Sequence, residues 1–175
     1  MGFSIIVFDF DGKYLRTMKN PMANERDGQK PSYMGCDNQG NILFTFDNVS
    51  CDMKYKYVVA NNELEILAKC PNYDKYYLKE RLLNVMMIAL YPIYEYKSYS
   101  YFPNKYNDTV FRINADYSSS PAWIIQIPNK RTLEDDLKLS AELIYYSSLN
   151  GKRTFEGIRE CNQYVYVYIY HYLIN

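Results

Sequence analysis

Near its carboxyl end the chain carries tyrosine at every second position from Tyr164 to Tyr172, with Val165, Val167, Ile169 and His171 between them. Successive side chains of a β-strand point to opposite faces of a sheet, so this alternation predicts a strand. Neither face carries a formal charge, and we therefore expect neighbouring layers to cover both faces. Such a segment favours a fold in which β layers pack on one another.

The overall composition agrees with β structure. The 175 residues include 21 Tyr and 8 Phe, and aromatic residues are favoured in strands. Twenty basic residues balance twenty acidic ones, so the chain lacks the positive surface of a general nucleic-acid-binding protein. No apolar segment reaches the roughly 18 residues of a membrane-spanning helix, and the amino terminus lacks the pattern of a signal peptide. We expect no transmembrane segment and no nucleic-acid partner.

Three β-hairpins are predicted in the amino-terminal part of the chain. Each consists of two apolar segments on either side of a turn that is rich in Asp, Asn and Gly, the composition that favours tight turns. The paired segments are Phe3–Phe10 with Tyr14–Met18, Tyr33–Cys36 with Asn41–Phe46, and Lys54–Ala60 with Leu64–Lys69.

The middle of the chain gives a mixed pattern. The apolar segment Leu82–Leu90 is compatible with a helix or with a buried strand, because Pro92 follows before its length can decide. The tyrosines from Tyr94 to Tyr101 predict one strand with a slip near Ser98. Further strands are predicted at Thr109–Ile113 and Ala122–Ile127.

One helix is predicted near residues 132–147. Thr132 is a favourable N-cap, and Glu134, Asp135 and Asp136 lie in the first turn, where the helix dipole favours acidic side chains. A helix start is our interpretation of this acidic triplet.

The turns recur at a spacing near 45 residues, since 46 residues separate Asn62 from Asp108 and 43 separate Asp108 from Gly151. This period predicts the blades of a β-propeller, four-stranded meanders that stack face to face, with a β-sandwich as the alternative. At roughly 45 residues per blade the chain makes about four blades. We therefore expect residues 1–175 to form a single, incomplete propeller domain.

Five segments share short strand and turn motifs, and they are Ile6–Leu15, Asp37–Ile42, Tyr106–Ile113, Ala122–Ile127 and Gly157–Tyr166. These segments resemble the blade signatures of six-bladed β-propeller lipoproteins of the NHL-like and TolB-like type. The resemblance implies a six-bladed fold for the full-length form and a place in the cell envelope. Our function hypothesis is a non-enzymatic binding or scaffold module of this type, for an unknown ligand or protein such as a carbohydrate or a peptide.

The segment from Asp9 to Gly12 leaves an enzymatic alternative open. It is similar to the start of a Ca²⁺ loop and to the nucleophile loop of haloacid-dehalogenase phosphatases, in which two aspartates bind Mg²⁺ and attack phosphorus. Lys13 stands where that phosphatase loop has threonine, and we predict that Asp9 is a turn residue. The alternative function is an enzyme, either such a phosphatase using Asp9 and Asp11 or a propeller lyase or lactonase.

No catalytic residue, metal ligand or cofactor is predicted. His171 is the single histidine, which argues against multi-histidine metal sites. The four cysteines, Cys36, Cys51, Cys70 and Cys161, form no CxxC pair and fit no zinc-binding spacing. Their disulfide state stays open at this point.

Two aromatic segments are candidates for contacts. The first comprises Tyr94, Tyr96, Tyr99, Tyr101 and Phe102, whose rings can stack on sugars or bases, although packing between sheets is the role we expect. The second is Tyr164–Tyr172, which lacks charge, proline and glycine and therefore favours edge-to-edge pairing of strands. We expect the chain to associate with itself through this second segment.

Overall fold

A computed structural model describes residues 4–22, 31–46, 53–72, 93–103, 108–130, 132, 134–135, 151–161 and 164–171. All elements named within these ranges are strands, and every sheet is antiparallel. The prediction of a mostly β chain is confirmed. The described strands form two four-stranded sheets and two two-stranded sheets. The chain divides into two units, residues 1–48 with 53–74, and residues 49–52 with 75–175.

Six strands build the first unit. They are β1 (Ser4–Phe8), β2 (Tyr14–Lys19), β3 (Tyr33–Cys36), β4 (Ile42–Thr45), β5 (Tyr55–Ala60) and β6 (Ile66–Pro71). β1 and β2 form a two-stranded sheet, and β3 to β6 follow one another as a four-stranded meander. The three predicted hairpins are confirmed, with strand ends displaced by one or two residues.

The core of the first unit lies on β5, which has a neighbouring strand on each side. Its residues Tyr57 to Ala60 are 0% exposed, so both faces of this strand are covered. Val58 and Ala60 pack with Phe44 in one cluster, and Ile5 and Met18 of the β1–β2 sheet pack against that cluster. The two-stranded sheet therefore covers one face of the four-stranded sheet.

Four hairpin turns in the described residues share one five-residue geometry. In each, the N–H of the first residue donates to the carbonyl of the fifth, and the N–H of the fourth donates to the carbonyl of the first. The fourth residue has a positive φ, which glycine adopts most easily. The turns begin at Asp9, Asp37, Asn61 and Asn114, and their fourth residues are Gly12, Gly40, Leu64 and Tyr117.

Six further strands build the second unit. They are β7 (Tyr94–Tyr96), β8 (Tyr99–Pro103), β9 (Thr109–Ile113), β10 (Ser119–Ile124), β11 (Arg153–Cys161) and β12 (Tyr164–His171). β7 to β10 form the second four-stranded meander, and β11 pairs with β12. The strand predicted from the final tyrosine alternation is confirmed. The strand expected at Ala122–Ile127 begins and ends three residues earlier.

The prediction of one slipped strand over Tyr94–Tyr101 is wrong, because β7 and β8 are two strands of a hairpin. Lys97 and Ser98 form its two-residue turn with φ of 46° and 66°. Asn and Gly usually occupy such a turn. Their absence here made the tyrosine pattern look continuous across the turn.

The core of the second unit is aromatic. The rings of Tyr94 and Tyr101 stack with their centroids 5.1 Å apart, and both side chains are buried together with Val110 and Ile127. Val167 of β12 packs against this cluster, so the β11–β12 sheet lies against the four-stranded meander.

The helix expected near 132–147 is not confirmed, since only residues 132, 134 and 135 of that range are described. At these positions the predicted N-cap contacts are present. The Thr132 hydroxyl oxygen accepts the N–H of Asp135 at 3.2 Å, and Asp135 Oδ2 accepts the N–H of Thr132 at 2.8 Å, the reciprocal pair of a capping box. The segment Leu82–Leu90 lies outside the described residues. Within those residues, no helix has the length and hydropathy to cross a lipid bilayer.

Candidate functional site

Strand β12 presents a row of tyrosines to solvent. Tyr164, Tyr166 and Tyr168 are 66%, 53% and 57% exposed, and the ring centroids of Tyr164 and Tyr166 are 6.4 Å apart. We call these three residues the tyrosine face. The expectation that layers cover both faces of this strand is wrong, because these tyrosines are exposed on one face, and on the other Val165 and Ile169 are exposed while Val167 is half-buried. A phenol ring tolerates this position since its hydroxyl stays hydrated while its body remains available for contact.

One residue on the opposite side of the same strand anchors the tyrosine face. Val167 packs on the aromatic core of the second unit, and β12 pairs with β11 from Arg153 opposite His171 to Cys161 opposite Tyr164. This pairing fixes the backbone and therefore the spacing of the tyrosines. In the same register Arg159 of β11 lies opposite Tyr166.

Such a row suits the binding of a ligand through surface contacts rather than the catalysis of a reaction. Flat aromatic rings at fixed spacing bind the apolar faces of sugar rings, or aromatic and aliphatic side chains of a protein, over a large area. Tyrosine has few rotatable bonds, so little conformational entropy is lost when it is immobilised in a complex.

A second apolar surface lies on the β1–β2 sheet of the first unit. Ile6, Phe8 and Tyr14 are 57%, 55% and 55% exposed, and the rings of Phe8 and Tyr14 meet edge to face at 6.3 Å. We call these residues the hairpin face. Ile5 and Met18, on the other side of the same sheet, pack on the core. Both alternating faces of β1 carry apolar residues, so the sequence pattern alone does not show which face stays exposed.

Asp9 and Asp11, the aspartates of the enzymatic alternative, lie in the turn between β1 and β2. The Oδ1 atom of Asp9 accepts the N–H of Asp11 at 3.1 Å and the N–H of Lys13 at 2.8 Å. Asp37 and Asn61 make the same two bonds in their own turns. Because the same contacts recur where no phosphatase motif exists, the turn geometry is sufficient to account for Asp9.

The described residues contain no cluster of three or more histidine, cysteine or acidic side chains that could hold a metal ion. Of the acidic triplet, Asp135 is bound to Thr132 and forms an ion pair with Lys152 at 3.1 Å. The contacts of the Asp135 carboxylate are therefore with other residues of the chain, as in a structural role.

The tyrosine cluster of β7 and β8 is divided between core and surface. Tyr94, Tyr101 and Phe102 are buried, and Phe102 stacks on Phe111 at 5.4 Å between centroids. The packing role expected for this segment is observed for these three residues. Tyr99 is exposed and lies beneath the Arg112 guanidinium, 4.8 Å from its ring centroid.

Cysteine and histidine contribute no assembled site among the residues described. Cys36 and Cys70 are free thiols, and Cys51 lies outside the described residues. His171 and Cys161 lie at opposite ends of the β11–β12 ladder, where their backbones pair with Arg153 and Tyr164.

Two carboxyl groups have shifted acidities. The hydroxyl of Ser118 and, with a smaller effect, its N–H donate hydrogen bonds to Asp116. These bonds lower the pKa of the Asp116 carboxyl from its ordinary value. For Asp135, burial raises the pKa, but the hydrogen bonds from Thr132 and the contact with Lys152 outweigh burial and the net pKa is lowered. In both cases local hydrogen bonds stabilise the charged carboxylate, and neither shift prepares an acid or a base for catalysis.

No protein-family model matches this chain, and no curated protein matches it. A solved structure from Bacteroides fragilis, described as a "putative exported protein", has a similar fold with a TM-score of 0.57 and 14% sequence identity. The match covers 96% of this chain and 49% of that chain, so this chain spans about half the length of the structure it matches. At this identity the likeness concerns the fold alone.

Proposed function

We propose that this protein is a non-enzymatic binding or scaffold module of the six-bladed β-propeller type, and that the tyrosine face is its contact surface. The observation that carries the proposal is a row of three tyrosines, each more than half exposed, on a strand anchored by Val167. Exposed aromatic rows of this kind mark contact sites, because soluble proteins rarely leave contiguous apolar surface open.

The propeller assignment is supported by the layering within each unit. Each unit contains a four-stranded antiparallel meander, and residues of a two-stranded sheet pack on the meander's core cluster. Propeller blades are meanders of this size that cover one another face to face. The segments that resemble blade signatures include Asp37–Ile42, which supplies the turn and the start of β4 in the first meander.

A place in the cell envelope is part of the same proposal. It is supported by the resemblance to propeller lipoproteins and by the description of the Bacteroides fragilis protein as exported. A contact surface rich in tyrosine suits an envelope protein that binds carbohydrates or other proteins.

The experiment compares Tyr166→Ser with a matched control, Tyr99→Ser, which removes an exposed tyrosine from a four-stranded sheet. Binding of defined oligosaccharides and of the chain to itself is measured for both variants and the unchanged protein by calorimetry and sedimentation. We expect at least one of these interactions to weaken about tenfold or more in Tyr166→Ser and to persist in Tyr99→Ser. Interactions that are equally strong in all three proteins would overturn the assigned surface.

The enzymatic alternative is tested separately. Hydrolysis of a generic phosphate monoester is measured with Mg²⁺ for the unchanged protein and for Asp9→Asn. We expect no turnover above the level of Asp9→Asn. Mg²⁺-dependent activity that this substitution abolishes would overturn the non-enzymatic assignment.

A further inference from the structure

Arg112 in the second four-stranded sheet is oriented by its neighbours through only part of its guanidinium group. It lies on β9, between Tyr101 of β8 and Ser120 of β10 in the strand register. Its Nε–H donates to Oδ1 of Asn114 at 3.2 Å, and the guanidinium lies over the ring of Tyr99, 4.8 Å from the ring centroid. Within the described part of the chain, no hydrogen-bond acceptor contacts its terminal nitrogens, Nη1 and Nη2.

The residue that orients Arg112 is itself held by a chain of hydrogen bonds. Asn114 Oδ1 also accepts the hydroxyl of Ser120 at 3.1 Å, and its Nδ2 donates to the hydroxyl of Ser118 at 3.0 Å. Ser118 in turn donates to Asp116 at 2.6 Å. The direction of the guanidinium is therefore set before any ligand arrives, which lowers the entropic cost of binding one.

A second cation lies at the same end of this sheet. Tyr96 is directly opposite Tyr99 in the β7–β8 hairpin, and the Nζ of Lys97 lies 5.1 Å from the Tyr96 ring centroid. Directly paired residues share a face of a sheet, so both cations rest on neighbouring rings of one face. Glu95 precedes Tyr96 in β7 and therefore belongs to the opposite face. We call Arg112, Tyr99 and Lys97 the arginine site.

Arg16 in the first unit shows what normally contacts the terminal nitrogens of a guanidinium. Its Nη1 donates to both carboxylate oxygens of Glu63 at 3.0 Å, and its Nη2 donates to the carbonyl of Asn62 at 2.9 Å. The N–H groups of a guanidinium form a planar fork that matches the two oxygens of a carboxylate. Arg112 has the same fork, but no described residue supplies the oxygens.

We propose that the arginine site binds a carboxylate of a ligand, with Nη1 and Nη2 of Arg112 donating to its two oxygens. Tyr99, which is 43% exposed, contacts the body of the ligand, and Lys97 adds positive potential that attracts the anion. One fork suits the single charge of a carboxylate better than the double charge of a phosphate. This site lies on β8 and β9 rather than on β12, so the proposal goes beyond the tyrosine face and stands or falls independently of it.

The test uses two carboxylates of different origin, each with a neutral counterpart. The first pair is N-acetylphenylalanine and its amide, and the second is methyl glucuronide and methyl glucoside. Each compound is titrated into the unchanged full chain at neutral pH and low salt, and the arginine Nε–H and backbone N–H signals are followed by ¹⁵N NMR. We expect at least one acid to shift the signals of Arg112 and Tyr99 in a saturable way, and its neutral counterpart to leave them unchanged. The acid that does so shows whether the carboxylate comes from a peptide end or from a sugar acid.

Variants then assign the binding to the guanidinium. Arg112→Gln should weaken binding of that acid about tenfold or more, because a charge-assisted hydrogen-bonded pair is lost. Arg112→Lys keeps the charge without the fork and should also bind more weakly than the unchanged chain. Lys97→Gln should have a smaller effect, and the affinity should fall as salt is added. The matched control is Arg16→Gln, which should bind as the unchanged chain does. Each variant is checked for a cooperative thermal transition, and the Arg112 signal of the unchanged chain decides the matter if Arg112→Gln does not fold.

Four results would overturn the proposal. They are the absence of any saturable shift at Arg112 with either acid, equal shifts with an acid and its neutral counterpart, equal weakening by Arg16→Gln and Arg112→Gln, and inorganic phosphate or sulfate that binds Arg112 as tightly as the acid. Binding of a neutral oligosaccharide should be the same in Arg112→Gln as in the unchanged chain, because a neutral sugar lacks the group that this site recognises.

Discussion

Tyr57 and Tyr166 are the same residue type in similar strands, yet Tyr57 is fully buried and Tyr166 is more than half exposed. Tyr57 lies on β5, which has a hydrogen-bonded strand on each side, whereas Tyr166 lies on β12, whose described sheet contains only one other strand. Burial of a strand tyrosine is therefore decided by how many strands and layers surround it. A row of buried tyrosines builds a core, and a row of exposed ones builds a surface for contact.

The largest effect expected from this comparison is on stability. Tyr57→Ala removes a ring from a fully covered position and leaves a cavity, so the free energy of unfolding should fall by about 3–5 kcal/mol. Tyr166→Ala should change it by less than about 1 kcal/mol in dilute solution, where no partner covers the ring. Urea unfolding of both variants at low protein concentration measures the difference. Equal losses would mean that the two tyrosines do not differ in burial.

The turns of the four-stranded sheet give the next largest effect. Gly40 has a φ of +81° in the turn between β3 and β4, and a Cβ added there meets no atom within 4 Å. Gly40→Ala should therefore cost about 1–2 kcal/mol through backbone strain alone. Gly40→Asn is the matched control, since asparagine tolerates this conformation, and it should cost clearly less. Urea midpoints that rank the variants otherwise would contradict a strain-based explanation.

A smaller effect on stability is expected at the residue before β11, the first strand of the two-stranded sheet of the second unit. Lys152 immediately precedes β11 and forms its ion pair with Asp135, whose folded-state pKa is lowered. A lowered pKa contributes stability above the unfolded value of 3.8, and this contribution is lost as the pH falls through the folded-state pKa.

Asp135→Asn should therefore reduce the free energy of unfolding by about 0.5–1 kcal/mol at pH 7, since the capping contact and a partly screened ion pair are weakened together. At a pH below the lowered folded-state pKa of Asp135, the unchanged chain and the variant should have the same stability. Urea unfolding at both pH values measures this difference. A gap that persists undiminished in acid would show that the carboxylate charge is not its cause.

The smallest effect is expected at the ion pair within the first unit. Arg16 of β2 contacts Glu63, in the turn between β5 and β6, at 3.0 Å, and both side chains are about half exposed. Because water and salt screen such a pair, Glu63→Gln should cost only about 0.2–1 kcal/mol, and less in 1 M salt. Thermal unfolding at low and high salt checks this, and a cost above 2 kcal/mol would contradict a screened surface contact.

Turns and strands could be predicted from the sequence wherever a residue type strongly favours one backbone conformation. Asp37 to Gly40 specified a turn because glycine takes the positive φ there, and the period of two specified β12. The hairpin turn at Lys97 and Ser98 was not predicted, because neither residue is typical of such a turn. The turn that begins at Asn114 was not predicted for the same reason, since Tyr117 occupies its positive-φ position.

The surfaces were harder to predict than the strands. Alternation shows that Tyr166 and Val167 face opposite ways, but it contains no information about which layers pack on each side. The hairpin face escaped notice for the same reason, since Ile6 and Ile5 are the same residue type and only the fold places one in solvent and the other against the core. The candidate site therefore depended on tertiary packing.

The division between buried and open tyrosines is tested most directly by chemical nitration of the dilute chain, followed by mass spectrometry of its peptides. We expect rapid modification of Tyr164, Tyr166 and Tyr168, and protection of Tyr57, Tyr94 and Tyr101, whose rings are buried. Raising the protein concentration should protect the first group and leave the second unchanged. Slow modification of Tyr166 at every concentration, or rapid modification of Tyr57, would contradict the account.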